Sequence, residues 1–261
     1  TGTALLHSMM VQSKRGLFRV WNVFLVITTF LLTLLGTFLV RSGVLTSVHS
    51  FAVDPGRGAY MLAFMTVAMV IGYGLVILRA DRLEGDGEVS SLLSKESAIL
   101  ANSVLLLIVT ATVFAGTLFP LAAEVLTDEK VSVGAPYYNK VIVPIMIGLI
   151  FLMGIGPSMP WRKMSKDKFT RKFGVKLGVA LMLGIASLLL NVGDIVTFFA
   201  IVAVGFAALV TLEDIATAVR ARARSMQVNL LSAAAHVFVH SRQRIGALIV
   251  HIGVITIAAG M

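Results

Sequence analysis

Cysteine is missing from this chain, and charged residues are scarce. None of its 261 residues is a cysteine, so the chain cannot perform thiol–disulfide chemistry or hold zinc or an iron–sulfur cluster through thiolates. Only 13% of the residues are charged, whereas a soluble domain carries about a quarter. The sequence also has no Walker A, G-x-S-x-G or H-E-x-x-H motif. These deficits exclude an ordinary soluble enzyme, a disordered tail and a disulfide-stabilised secreted domain.

The sequence consists mainly of long apolar runs separated by short charged stretches. A helix needs about 20 apolar residues to cross a bilayer. Six runs approach or reach that length: Val20–Val40, Ala59–Leu78, Ile99–Leu118, Val141–Met159, Leu177–Val192 and Ile195–Leu212. The last two are joined by a tight Gly193-Asp194 turn and so predict a helical hairpin. We predict an all-α polytopic transmembrane bundle forming one membrane domain over 1–261, with about six full spans and two partial ones at Thr1–Val11 and Ile245–Met261.

The basic residues are divided unequally between the two sides of this bundle. With the connections numbered alternately, 18 of the 22 Lys and Arg residues fall on one side and four on the other. The positive-inside rule makes the first side cytoplasmic. The net charge of +9 therefore reflects topology and membrane lipid, not a nucleic-acid partner. We predict an external loop over 41–58, a basic cytoplasmic loop over 160–176 and an amphipathic cytoplasmic segment over 220–244.

Two histidines lie inside predicted spans. His7 and His251 are each seven residues from a basic cytoplasmic boundary, at Lys14 and Arg244, so both lie about 10 Å inside the membrane. Imidazoles at one depth on two helices are a natural axial ligand set for the iron of a b-type haem. Each could equally make an interhelical hydrogen bond. The depth alone leaves both interpretations open.

The other three histidines lie outside the spans. His49 is in the external loop between Arg41 and Arg57, whose guanidiniums suit carboxylates such as haem propionates. The simpler interpretation is an interfacial histidine beside snorkelling arginines. His236 and His240 have the i, i+4 spacing that can bind a metal, but no third ligand lies nearby in the sequence. A solvated or interfacial helix face is favoured for that pair.

The stretches Thr1–Ser8 (TGTALLHS) and Leu35–Ala52 (LGTFLVRSGVLTSVHSFA) closely resemble the CcmF/NrfE family of cytochrome c haem lyases. The resemblance continues through Gly116–Pro120, Val131–Asn139 and Met153–Pro157, and it ends at Ala247–Gly253. It implies that His7 and His251 match the transmembrane pair that ligates a stable haem b in that family. It also implies that His49 matches one of two external histidines that receive the substrate haem from the haem chaperone CcmE.

The resemblance further implies a reaction and its partners. In that family the haem vinyl groups are joined to the thiols of a Cys-x-x-Cys-His motif in apocytochrome c, which is presented with a CcmH-type thiol subunit. His49 would then be the catalytic residue that holds the substrate iron. We expect Arg41 and Arg57 to hold haem propionates, and Asp54 to orient Arg57 or His49.

Parts of the family pattern are not found in this chain. The Trp-rich WWD segment and the first external histidine should precede Thr1, and a further external region and span should follow Met261. We therefore expect a piece of a longer or split lyase of the bacterial inner membrane, in preference to the mitochondrial one. We expect it to be inactive alone. The alternatives are a multi-span transporter of haem or another small molecule, and a non-catalytic scaffold subunit of a split lyase.

Overall fold

The computed structural model describes residues 1–42, 55–83, 85, 87–128 and 131–260. Over these residues the backbone forms α-helices and no strand. The helices are α1 (Gly2–Arg15), α2 (Arg19–Arg41), α3 (Pro55–Leu78), α4 (Lys95–Thr127), α5 (Ala135–Ile155), α6 (Lys166–Leu189), α7 (Ile195–Met226), α8 (Leu230–His240) and α9 (Arg242–Gly260). Seven of them, α2 to α7 and α9, are long and apolar enough to cross a membrane. The prediction of an all-α polytopic bundle is confirmed.

The two predicted partial spans differ from each other. The last helix, α9, has 19 residues and meets the length of a complete span. The first, α1, has 14 residues and is not among the seven candidate spans of the described residues. Its last turn carries Lys14 and Arg15, where cations interact favourably with the carboxyl end of a helix. The helix then ends at Gly16 in the left-handed conformation, with a φ of 70°.

Two helices extend well beyond the apolar runs that predicted them. The predicted basic loop over 160–176 is a loop only as far as Ser165, because α6 begins at Lys166. The Ser165 hydroxyl caps this helix by accepting from the Lys168 N–H at 3.4 Å. Similarly, α7 continues to Met226, so the predicted amphipathic segment 220–244 is divided among α7, α8 and α9. Lysine and arginine are good helix formers, so a helix does not end where its apolar run ends.

The chain divides into two compact units. The first unit comprises Thr1–Val89 and Ile99–Ile142, and in it α2 packs against both α1 and α3. The second comprises Ser90–Ala98 and Val143–Met261. There α7 packs against α6, α8 and α9.

The second unit has an aromatic core and the predicted hairpin. Phe206 of α7 is 1% exposed, and its ring lies 4.7 Å from that of Phe151 and 6.1 Å from that of Phe173, centroid to centroid. The connection between α6 and α7 turns at Gly193, whose φ of 80° favours glycine. Asp194 then caps α7 by accepting the Thr197 N–H at 2.9 Å. This tight connection makes α6 and α7 antiparallel neighbours.

Candidate functional site

His7 is presented by α1 with one ring nitrogen already engaged. Its Nδ1 lies 2.8 Å from the carbonyl oxygen of Thr3, one turn earlier in the helix. A carbonyl can only accept, so Nδ1 carries the proton and Nε2 carries the lone pair. A histidine whose other nitrogen is held by a carbonyl in this way is the usual form of a metal ligand. The partly buried ring is therefore in the tautomer that could bind a haem iron through Nε2.

The face of α1 next to His7 is anchored to α2. One side of α1 is fully buried, at Ala4, Ser8 and Val11. The Ser8 hydroxyl donates to Oδ1 of Asn22 on α2, and it also lies 3.2 Å from the Leu5 carbonyl of its own helix. This contact between polar side chains was not predicted from the sequence. A single serine or asparagine within an apolar helix does not by itself indicate which residue of another helix it contacts.

The same asparagine makes a second hydrogen bond to α1. Nδ2 of Asn22 donates to Oε1 of Gln12 at 2.5 Å. Ser8 and Gln12 are separated by one turn, so they lie on the same face of the helix. Asn22 is 4% exposed, and both ends of its amide are satisfied by these two α1 side chains.

His251 lies on α9, in the second unit. His251 lies nine residues after Arg242, where α9 begins. His7 lies eight residues before Arg15, where α1 ends. At 1.5 Å per residue both imidazoles are about 12 to 14 Å from the basic end of their own helix. The His251 ring is partly buried. The pairing of His7 with His251 stays a prediction, since the two residues belong to different units.

The ends of the predicted external loop are close together. If Gly58 carried a Cβ, that atom would lie 3.2 Å from Cβ of Ser42, so the end of α2 and the start of α3 nearly touch. Arg41 and Arg57 each directly precede one of these two residues, and both side chains are exposed. The structure therefore brings the backbones of these two predicted site residues to one place. His49 and Asp54 lie outside the described residues.

His236 and His240 make contacts that the sequence did not predict. The two rings stack with centroids 3.9 Å apart. Nε of Arg222, at the end of α7, donates to Nδ1 of His236 at 3.2 Å, and Nη2 lies 3.0 Å from its Nε2. Partial burial of the ring lowers the pKa of His236, and the charge of Arg222 and then His240 add to this. Arg222 and His236 thus join α7 to α8, and the His240 side chain is exposed.

A metal centre of protein ligands is not found in the described part of the chain. No group of three or more His, Cys, Asp or Glu side chains there is placed to hold a metal ion. The interpretation of His236 and His240 as a metal site therefore gains no support. Haem remains compatible with the histidines present, because an axial site needs one imidazole from each side of the ring.

A second polar network joins α6 to α7 at the basic end of the hairpin. Nζ of Lys172 donates to the Ser158 carbonyl at 2.8 Å and lies 3.8 Å from Oδ1 of Asp214. Nζ of Lys176 lies 2.7 Å from Oε2 of Glu213. These contacts neutralise part of the basic segment that the sequence predicted as a loop. They serve helix packing, because every charged partner belongs to the hairpin itself or to the turn beside it.

Comparison with known proteins identifies a set of relatives. No family model matches the chain. The cytochrome c-type biogenesis protein CycK of Rhizobium meliloti is 48% identical over 162 residues, which are 62% of this chain and 24% of that protein. CcmF of Escherichia coli is 45% identical over 161 residues, covering 61% of this chain and 25% of CcmF. NrfE of Haemophilus influenzae is 37% identical over 177 residues, 68% of this chain and 27% of NrfE.

The fold is similar to a solved structure over nearly the whole chain. A cytochrome c haem lyase CcmF superposes with a TM-score of 0.70 at 29% identity, covering 98% of this chain and 36% of that one. The chain spans about a quarter of the length of the curated relatives it matches. The resemblance predicted from the sequence is confirmed: this chain is a homologue of part of the CcmF, CycK and NrfE cytochrome c-type biogenesis proteins.

Proposed function

We propose that the chain acts in cytochrome c maturation, as the part of a haem lyase that holds haem b within the membrane. The observation that carries this proposal is its similarity, over 98% of its length, to a solved cytochrome c haem lyase. The seven apolar helices support a multi-pass protein, and the bacterial relatives favour the bacterial inner membrane.

His7 and His251 are proposed as the axial ligands of this haem b. The donor chemistry of His7 fits the group, because its Nδ1–H is held by the Thr3 carbonyl and its Nε2 lone pair is available. Both imidazoles lie at similar depth from the basic ends of α1 and α9. When bound, haem b supplies one-electron chemistry at its iron. The protein's part is to ligate the iron, to orient the ring and to keep water away from it.

The external loop is proposed to receive a second haem, as the substrate. His49 would ligate its iron, and Arg41 and Arg57 would pair with its propionates. The convergence of α2 and α3 at Ser42 and Gly58 supports this role, because it keeps both arginines at one end of the helix pair. Asp54 is proposed to orient Arg57 or His49.

The partners follow from the same relationship. A CcmE-type chaperone would deliver the substrate haem, and a CcmH-type subunit would present apocytochrome c. Each cysteine S–H of the apoprotein would add across a haem vinyl group, with sulfur bonded to one vinyl carbon and hydrogen to the other. The chain contains no cysteine, which is consistent with thiols that belong to the substrate alone.

The test replaces each proposed axial ligand in the full-length complex. We expect His7→Ala and His251→Ala each to remove the b-type bands from the reduced visible spectrum of the purified complex. The control is His240→Ala, which removes an imidazole that stacks on His236 outside the spans. The proposal fails if haem stoichiometry is unchanged in both ligand variants, or if the unaltered complex is colourless.

A further inference from the structure

The contact between α1 and α2 contains polar groups where an apolar contact would suffice. Ser8 is fully buried and Asn22 is 4% exposed, and their buried neighbours are Ala4, Val11 and Leu25. Polar side chains inside a membrane protein cost free energy unless they are paired. Here they are paired, by hydrogen bonds that run from Ser8 to Asn22 and from Asn22 to Gln12. We call these three residues the α1 anchor.

The α1 anchor fixes more than the distance between the helices. Asn22 accepts from Ser8 through Oδ1 and donates to Gln12 through Nδ2, so one side chain on α2 holds α1 at two points one turn apart. A single point would let α1 swivel about it. Two points with opposite donor and acceptor roles set both the rotation of α1 about its axis and its position along that axis. A purely apolar contact lacks such directional bonds, and its side chains can repack.

His7 lies directly beside the anchored face. Neighbouring helix residues are about 100° apart around the axis, so fixing Ser8 against α2 turns His7 to one side of that contact. The bond from Nδ1 to the Thr3 carbonyl then fixes the ring relative to the same helix. A rotation of α1 by about 20° would move an atom about 6 Å from the axis by about 2 Å. That displacement is about as long as a metal–nitrogen bond.

We propose that the α1 anchor is a positioning element for His7, which holds Nε2 where a haem iron can bind it. None of its three residues ligates the iron. The anchor acts through the orientation of α1, and Asn22 is its central residue. This inference rests on the proposed function, because its signature is measured on the haem b that His7 is proposed to ligate.

The principal test is Asn22→Leu in the full-length complex, which keeps the side-chain size and removes both hydrogen bonds. We expect haem b occupancy to fall at least threefold at limiting haem, and the residual haem to show an altered low-spin signal in electron paramagnetic resonance. Ser8→Ala should act in the same direction, and Ser8→Thr, which keeps the hydroxyl, should restore the normal signal. A variant that affected only stability would change the yield of protein but not the signal per bound haem.

The matched control is Thr33→Val on the same helix. The Thr33 hydroxyl donates only within α2, to the Thr29 carbonyl at 2.9 Å, and its side chain is exposed. This variant should keep both the occupancy and the signal. If Asn22→Leu does not accumulate in the membrane, the comparison of Ser8→Ala with Ser8→Thr decides the question.

Different results overturn the proposed function and the positioning role of the α1 anchor. An unaltered complex without b-type haem overturns the proposed function. An unaltered complex with haem b, whose Asn22→Leu and Ser8→Ala variants match Thr33→Val in occupancy and signal, leaves the proposed function standing and overturns the positioning role.

Discussion

Replacement of Phe206 by alanine tests how the α6–α7 hairpin is held together. Its ring is 1% exposed and stacks on Phe151 at 4.7 Å with an interplanar angle of 25°. Phe173 of α6 lies on another side at 6.1 Å. Removing the Phe206 ring therefore removes the central member of an aromatic group that joins α5, α6 and α7.

The expected cost follows from the membrane surroundings. Lipid tails are as apolar as a protein core, so a phenylalanine that leaves the core for lipid loses little transfer free energy. What remains is the cavity, which at about 24 cal/mol per Å³ costs about 2.4 kcal/mol for about 100 Å³ of lost ring. The aromatic contacts contribute about 0.5 to 1.5 kcal/mol more. We expect Phe206→Ala to lower the free energy of unfolding by about 3 kcal/mol, near the lower end of the range of about 3 to 5 kcal/mol for soluble proteins.

The measurement is reversible unfolding of the purified protein in mixed micelles of increasing SDS content. The control is Leu212→Ala on the same helix, whose side chain is 59% exposed and should cost less than about 1 kcal/mol. Equal costs for the two variants, or a cost for Phe206→Ala below about 1 kcal/mol, would refute the reasoning that core packing holds this hairpin.

Two further predictions concern helix ends and pH. Asp194→Ala should lower the SDS midpoint and speed hydrogen exchange of the Thr197 amide, whereas Asp194→Asn should keep most of the cap. Hydrogen bonds from Thr197 lower the pKa of Asp194. The ionic contribution of the cap is therefore present above the ordinary pKa of 3.8 and is lost as the pH falls further. The pKa of His236 is also lowered, by burial and then by Arg222 and His240, so the folded state favours the neutral ring. Packing of α8 on α7 should therefore be intact above the ordinary value of 6.5 and weaken as the pH falls below it, which hydrogen exchange of α8 measures; an equal response in His236→Asn would contradict this.

The spans were predictable because a membrane helix must satisfy its backbone within itself. Length and apolar composition then suffice, and the runs at Val20–Val40 and Ala59–Leu78 agree closely with α2 and α3. The hairpin turn was equally readable, because Gly193 permits a positive φ and Asp194 can cap the helix that follows. These are local properties of a few adjacent residues.

Helix ends and polar partners were less predictable. The start of α6 lies 11 residues before the predicted Leu177 and the end of α7 lies 14 residues beyond the predicted Leu212, because helix propensity continues through lysine and arginine where the apolar run has ended. The hydrogen bond from Arg222 to His236 depends on how α8 packs against α7, and the i, i+4 spacing of the histidines carries no information on that packing.

The same distinction between local and tertiary features applies to the candidate site. The sequence by itself determined the fold class, the positions of its imidazoles along their helices, and the relationship to cytochrome c-type biogenesis proteins, because these depend on residue identity and on order along one chain. Only the tertiary structure decided that Arg41 and Arg57 share one end of a helix pair and that Asn22 holds α1 at two points. Those features depend on the rotation of one helix against another, which apolar composition leaves free and directional hydrogen bonds fix.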